Sequence, residues 1–314
     1  MNTKLKGTTY GIISAISYGM NPLGALFLYQ QGINTNSVLF YRFSIAAIIL
    51  ALLMIVQKKS FAITKKELYI ISALGVLFGI SSLSLFTSFH FMNAGIASTI
   101  LFVYPVMVAI IMAVFFKEKM SVITILSITL ALSGITMLYK GDGDSGLSTI
   151  GILLVMVSSL SYAIYIVVVN KSSLIMSSVK LTFFVLLFCI LTIVIHSFGD
   201  HENHLMLLTN PAMWMWALML ALVPTIISLI TMVKAVKTIG STPTAIMGAL
   251  EPLTAVVIGV TIFGETFSMH LAVGILMILS AVTLIIAGKS VKPEILFSKV
   301  NSAGLSLKRY FKWK

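Results

Sequence analysis

The chain has 314 residues, 59% of them hydrophobic and only 10% charged, with a mean hydropathy of +1.07. So little polar surface cannot cover a water-soluble core, which makes the bilayer the solvent and the chain an all-α integral membrane protein. The net charge of +12 would suggest a nucleic-acid partner in a soluble protein; here its placement along the chain must be read before its sign.

Apolar runs of about twenty residues, long enough to cross the hydrocarbon core, predict ten helices. In chain order they lie at 7–29, 37–56, 68–90, 94–116, 121–139, 149–169, 178–198, 213–235, 242–263 and 268–287. The first run, after Lys4 and Lys6, superficially resembles a signal peptide, but it continues to Tyr29 without a small-x-small cleavage signal, so it reads as a retained helix. Numbering the spans from a cytoplasmic N-terminus puts 19 of the 21 basic residues on one side, with only Arg42 and Lys140 opposite. That bias predicts both termini in the cytoplasm. Residues 289–314 form a basic cytoplasmic tail, either solvated or resting on anionic headgroups through Lys308, Arg309, Tyr310 and Trp313. The single cysteine, Cys189, sits inside an apolar run and allows no internal disulfide.

One stretch occurs twice. Tyr104-Pro105 leading to Phe116 and Glu118 matches Glu251-Pro252 leading to Phe263 and Glu265, 147 positions on. Gly7, Ser14, Ser17 and Tyr18 likewise match Gly151, Ser158, Ser161 and Tyr162. The chain therefore divides into a first repeat at 1–140, a second at 141–288, and the tail. Five helices per repeat is an odd number, so the second enters the membrane upside down, an inverted-topology architecture used by secondary transporters around a midplane site.

The segments Phe86 to Glu118 (FTSFHFMNAGIASTILFVYPVMVAIIMAVFFKE) and Val233 to Glu265 (VKAVKTIGSTPTAIMGALEPLTAVVIGVTIFGE) resemble the paired signature of the EamA-like family of the drug/metabolite transporter superfamily. The likeness covers essentially the whole chain and includes Tyr41-Arg42-Phe43 opening the second helix. It implies a ten-helix bundle, alternating access, and mostly efflux of small metabolites, amino acids or drugs from the bacterial cytoplasm.

Pro105 and Pro252 fall mid-helix, where each removes a backbone donor; the expectation is a hinge that frees the carbonyls of Leu101 and Gly248 to line a cavity. Glu251 is the carboxylate deepest in a span, and hydrocarbon tolerates it only facing a partner or a wet cavity. It would bind a cationic headgroup, couple a proton, or tie two helices together. Arg42 pairs with a substrate carboxylate, snorkels to the outer headgroups or pairs with another helix. His90, at the end of the third helix, is a proton-relay candidate or an interfacial hydrogen bonder. Tyr18, Asn21, Tyr104, Ser158, Tyr162, Tyr165 and Gly248 complete the candidate cavity wall. Glu118 and Glu265 read as structural or gate residues, each complementing the positive N-terminal end of the next helix.

No His-Glu-x-x-His, Gly-x-Ser-x-Gly or P-loop pattern is present, which argues against an enzyme, against a cofactor and against ATP-driven transport. The Asp200-His204 loop reads as solvated and not as a metal site. Gly7-xxx-Gly11 and Gly75-xxx-Gly79 allow close helix approach without establishing a dimer. The expectation is an inner-membrane secondary transporter, most simply an exporter, as a monomer or weak homodimer among lipids. The partner is a small-molecule substrate, not a nucleic acid. The alternatives are an uncoupled facilitator or importer, and a non-transporting receptor or scaffold.

Overall fold

The computed structural model describes residues 3–117, 122–140, 148–172, 174, 176–199, 204–239, 244 and 247–290. Glu118, residues 200–203 and the tail from 291 onward lie outside the described residues. The helices are α1 (Thr3–Gly19), α2 (Asn21–Gln30), α3 (Thr35–Val56), α4 (Lys65–Ser88), α5 (Ala94–Leu101), α6 (Tyr104–Phe116), α7 (Val122–Lys140), α8 (Thr149–Lys171) and α9 (Ser178–Gly199). There follow α10 (Pro211–Ala221), a π turn over Leu222–Ile227, α11 (Ser228–Ile239), α12 (Leu250–Phe263) and α13 (Met269–Ser290).

Seven helical segments among the described residues are long and apolar enough to cross a membrane, and three shorter apolar helices, Val122–Met137, Leu250–Phe263 and Met269–Leu284, occupy the remaining predicted runs. The outward faces are apolar: Ile48, Leu52, Ile55, Phe115, Ile195 and Phe198 are all more than half exposed. Only lipid tolerates such a surface. The chain is a multi-pass membrane protein. Its helices start where the sequence supplies caps. Asn34 accepts from the Ser37 amide at 2.9 Å, Thr64 and Glu67 form a reciprocal capping box, and Asn210 accepts from Ala212 at 2.6 Å just before Pro211.

Four spans are not single helices. The chain turns between α1 and α2 before Pro22, between α5 and α6 before Pro105 and at Gly248-Ala249 before Pro252, whereas α10 runs on into α11 without a gap through the π turn that holds Pro224. The expected spans over 7–29 and 94–116 are present as Leu5–Gln30 and Ala94–Phe116, each interrupted by a short turn, and the bends expected at Pro105 and Pro252 lie in the turns just before those prolines. A proline in the first turn of a new helix gives up an N–H that has no intrahelical partner anyway, so a break is better tolerated there than a kink mid-helix.

The packing exchanges under the repeat. α1 lies on α11 and α2 on α10, as α8 lies on α4; α3 contacts α10, as α9 contacts α4; α12 contacts α1, as α5 and α6 contact α8; and α3·α9, α5·α12 and α7·α13 pair equivalent helices with each other. Individual residues repeat the pattern. Ser14 and Ser228 bond each other's backbone carbonyls at 2.9 and 3.1 Å, and their counterparts Ser158 and Ser81 meet through Ser158 Oγ to Ser81 O at 2.7 Å. Gly7 admits Thr238 and Ile239 where a Cβ would stand, and Gly151 admits their counterparts Phe91 and Met92. The other small residues also serve contacts inside the chain, Gly11 against Met247, Gly75 against Phe188 and Gly79 against Thr192.

Candidate functional site

The breaks in α1/α2 and α5/α6 and the start of α12 meet at one point. They enclose a cleft lined by Tyr18, Gly19, Asn21, Leu85, Ser98, Leu101 and Glu251. The space open to the centre of a water molecule is about 20 Å³, room for water and not for a metabolite. α1 approaches α12 so closely here that a Cβ on Gly19 would stand 2.5 Å from the Glu251 carbonyl oxygen. Three of the sequence-derived candidates, Tyr18, Asn21 and Glu251, are thus brought together.

The Asn21 side chain is 4% exposed, and its Oδ1 has no hydrogen-bond partner among the described residues. The Glu251 carboxylate makes no hydrogen bond or ion pair among them either, although Tyr18, Tyr104 and Tyr162 all lie within reach of its charge. Tyr104 packs edge-on against Tyr162 with ring centroids 4.8 Å apart, and Tyr162 stacks on Tyr165 at 5.8 Å and 6°. Phe78 closes the group at 6.4 and 5.7 Å. Tyr18, Tyr104, Tyr162, Tyr165 and Glu251 are all half-buried, and Tyr18 and Glu251 face the cleft. None of the four phenol hydroxyls is hydrogen-bonded among the described residues, whereas a buried phenol ordinarily finds a partner.

Arg42 is not at the outer headgroups. It is 3% exposed, its Nε donates to Thr225 Oγ1 at 2.9 Å, and its guanidinium lies over the rings of Phe43 and Phe86 at 5.0 and 5.3 Å. Thr225 owes its position to the π turn, where its hydroxyl also donates to the Leu220 carbonyl. Tyr18 lies within electrostatic reach of both Arg42 and Glu251.

Ser158 does not line the cleft; it is fully buried in the α4–α8 contact. The carbonyl freed by Pro105 is not left to the cavity, since Ser159 Oγ donates to Leu101 O at 3.1 Å. Gly248 O accepts from the Glu251 amide at 2.9 Å. His90 sits at the far end of α4, stacked on Tyr29 at 4.2 Å with Nε2 3.2 Å from Thr35 Oγ1, and partial burial lowers its pKa below the ordinary histidine value. Glu265 accepts from the amides of Ala94 at 2.8 Å and Gly95 at 3.4 Å. It therefore caps α5 of the opposite half, a contact the sequence reading had not placed there. Its carboxylate occupies the space a side chain at Gly259 would need. Sequence reasoning missed Ser98, Ser159, Thr225, Gly19 and Gly259. Ser98 and Ser159 had a usable signal, since the former lies one turn before Leu101 and the latter beside Ser158.

Comparison with known proteins agrees. The profile of the EamA-like transporter family matches residues 5–140 and again 149–287. An uncharacterized transporter of Archaeoglobus fulgidus is 27% identical over 194 residues, 61% of this chain and 67% of that protein. One of Clostridium kluyveri is 24% identical over 293 residues, 87% and 91% of the two chains. A solved crystal structure shares the fold with a TM-score of 0.63 at 14% identity, covering 88% of this chain and 95% of that one. Matched once in each half by the same profile, the chain belongs to the EamA-like transporter family.

Proposed function

We propose that the chain is a secondary transporter of the inner (cytoplasmic) membrane that exports small metabolites, such as amino acids or drug-like amphiphiles, by alternating access. In this reading it has ten spans in two inverted repeats, 1–140 and 141–288, with both termini and the 289–314 tail in the cytoplasm. The observation that carries it is the cleft where broken helices of both halves meet around Glu251 and Asn21, two polar groups without partners among the described residues. A buried carboxylate facing a wet void, and not a neighbouring cation, is placed for a ligand or a proton. The small cleft volume corresponds to an occluded state, and opening to either side requires the halves to move about the α5·α12 and α3·α9 contacts.

Glu251 is the coupling residue of this mechanism: a proton taken from outside would neutralise it, and its loss inside would restore the site. The test is flux in proteoliposomes with a panel of amino acids and amphiphilic amines, with and without a pH gradient. Wild type should move at least one class in response to the gradient, and Glu251→Gln should lose that response while remaining monodisperse. Unaltered pH dependence in the folded Glu251→Gln protein would remove Glu251 from coupling, and silence across the whole panel would favour a scaffold.

A further inference from the structure

The cleft offers acceptors and aromatic faces but no cation. The Glu251 carboxylate and Asn21 Oδ1 are acceptors without side-chain donors among the described residues; Tyr18 lines the same cleft, and the packed rings of Tyr104, Tyr162 and Tyr165 adjoin it, the first two within electrostatic reach of Tyr18 and Glu251. The buried cation of this region, Arg42, is not among the residues lining the cleft; its Nε is held by Thr225 and its guanidinium lies over the rings of Phe43 and Phe86. Resting on the transporter reading above, we propose that the substrate class of this cleft is an organic monocation, a substituted ammonium seated between the Glu251 carboxylate and the tyrosine faces.

The reasoning is one of charge in a low-dielectric space. An ionised Glu251 with a monocation leaves the filled cleft neutral, whereas a zwitterion leaves it negative and brings a second carboxylate with no cation to meet it. Tyrosine faces attract an ammonium through the ring quadrupole, most strongly where water is excluded. Asn21 Oδ1 then accepts from a primary or secondary ammonium N–H, and a quaternary ammonium forgoes that bond but keeps the ring contacts. The open phenol hydroxyls and Ser98 serve the polar edge of the same ligand.

Four probes sharing one phenyl ring separate the possibilities: benzyltrimethylammonium, phenethylamine, phenylalanine and phenylacetate. Binding to the detergent-purified full chain is read by thermal stabilisation, and transport by counterflow in proteoliposomes. The two cations should bind at least about tenfold more tightly than phenylalanine or phenylacetate. Glu251→Gln should lose that preference. Tyr162→Leu should weaken benzyltrimethylammonium by about tenfold while Tyr162→Phe, which keeps the ring, should not; this pair also guards against a Glu251 variant that fails to fold. Transport of phenylalanine or phenylacetate but of neither amine would overturn the inference and leave the transporter reading standing. Cation binding unchanged in a folded Glu251→Gln protein would overturn it as well. Silence for all four probes would also overturn it, and only silence across the broader panel would take the transporter reading down too.

Discussion

Replacing Gly259 with alanine should destabilise the protein, which inverts the usual sign of that substitution in a helix. Gly259 lies inside α12, where alanine is ordinarily favoured by about 1 kcal/mol. Here the three atoms nearest to an added Cβ all belong to the Glu265 carboxyl group, too close for both to stay. Displacing that group breaks its bonds to Ala94 N at 2.8 Å and Gly95 N at 3.4 Å. A charge-assisted bond of this kind contributes about 1.5–3 kcal/mol, the longer one less, and the helix-terminus charge interaction about 0.5 kcal/mol more. The expected net change for Gly259→Ala is a loss of about 1–2 kcal/mol, a fall of a few degrees in Tm. Glu265→Ala alone should lose about 2–3 kcal/mol. In that background the carboxylate is gone, so adding Gly259→Ala should raise stability again. Thermal unfolding of the four purified proteins in one detergent closes the cycle. If Gly259→Ala stabilises the otherwise unaltered protein, or if the two losses simply add, the carboxylate does not sit between α5 and α12 and the latch between the halves is refuted.

The serine pairs make a second test of the repeat. Ser14→Ala and Ser158→Ala should each cost about 1 kcal/mol, and by similar amounts, because the bonds they break are counterparts; a silent member in a thermal melt would contradict the exchange symmetry. Thr225→Val leaves the buried Arg42 Nε without its acceptor and should cost about 2 kcal/mol, while Thr225→Ser should restore most of it; equal melting temperatures for the two variants would show that the rings alone hold the guanidinium. His90 has its pKa lowered in the fold, so the unfolded chain binds its proton first as pH falls through the ordinary value of 6.5, and the native state loses stability from there down to the lowered value. Acidifying from about pH 7.5 to about pH 5 should therefore lower the Tm of wild type more than that of His90→Gln, and an equal fall in both would remove His90 as the cause.

The spans were legible because lipid imposes a simple rule, about twenty apolar residues per crossing, that needs no knowledge of neighbours. The breaks were only half legible. Pro22, Pro105 and Pro252 stand out in the sequence, but whether a proline kinks a helix or ends it depends on what takes the orphaned carbonyls. That answer lies on other helices: Ser159, distant in sequence, takes the one at Leu101. Arg42 shows the same limit. A lone arginine near a helix start reads equally as a headgroup anchor or a buried cation, and the π turn that brings Thr225 to it carries no periodic signal of its own. Glu265 was visible as a helix-terminus carboxylate, yet the helix it serves lies 170 positions away.

The duplicated positions and the divergent ones divide their work between fold and chemistry. Ser14 with Ser228 and Ser158 with Ser81 recur in both halves, and so do the glycine contacts at Gly7 and Gly151; all of them hold helices together. At the hinge the copies part. Ser159 supports the break before Pro105, but its counterpart in the first helix is Ala15, which offers no hydroxyl, and the break before Pro252 relies instead on the Glu251 amide bonding to Gly248 O. Tyr104 and Glu251 occupy the same place in the repeat, and Tyr104 lies within electrostatic reach of Glu251. A strictly symmetric site would hold two carboxylates, whose mutual repulsion would keep one of them protonated, or two phenols and no charge at all. One of each places a single anion beside aromatic rings, and the proposed preference for a single positive charge rests on that difference between the copies.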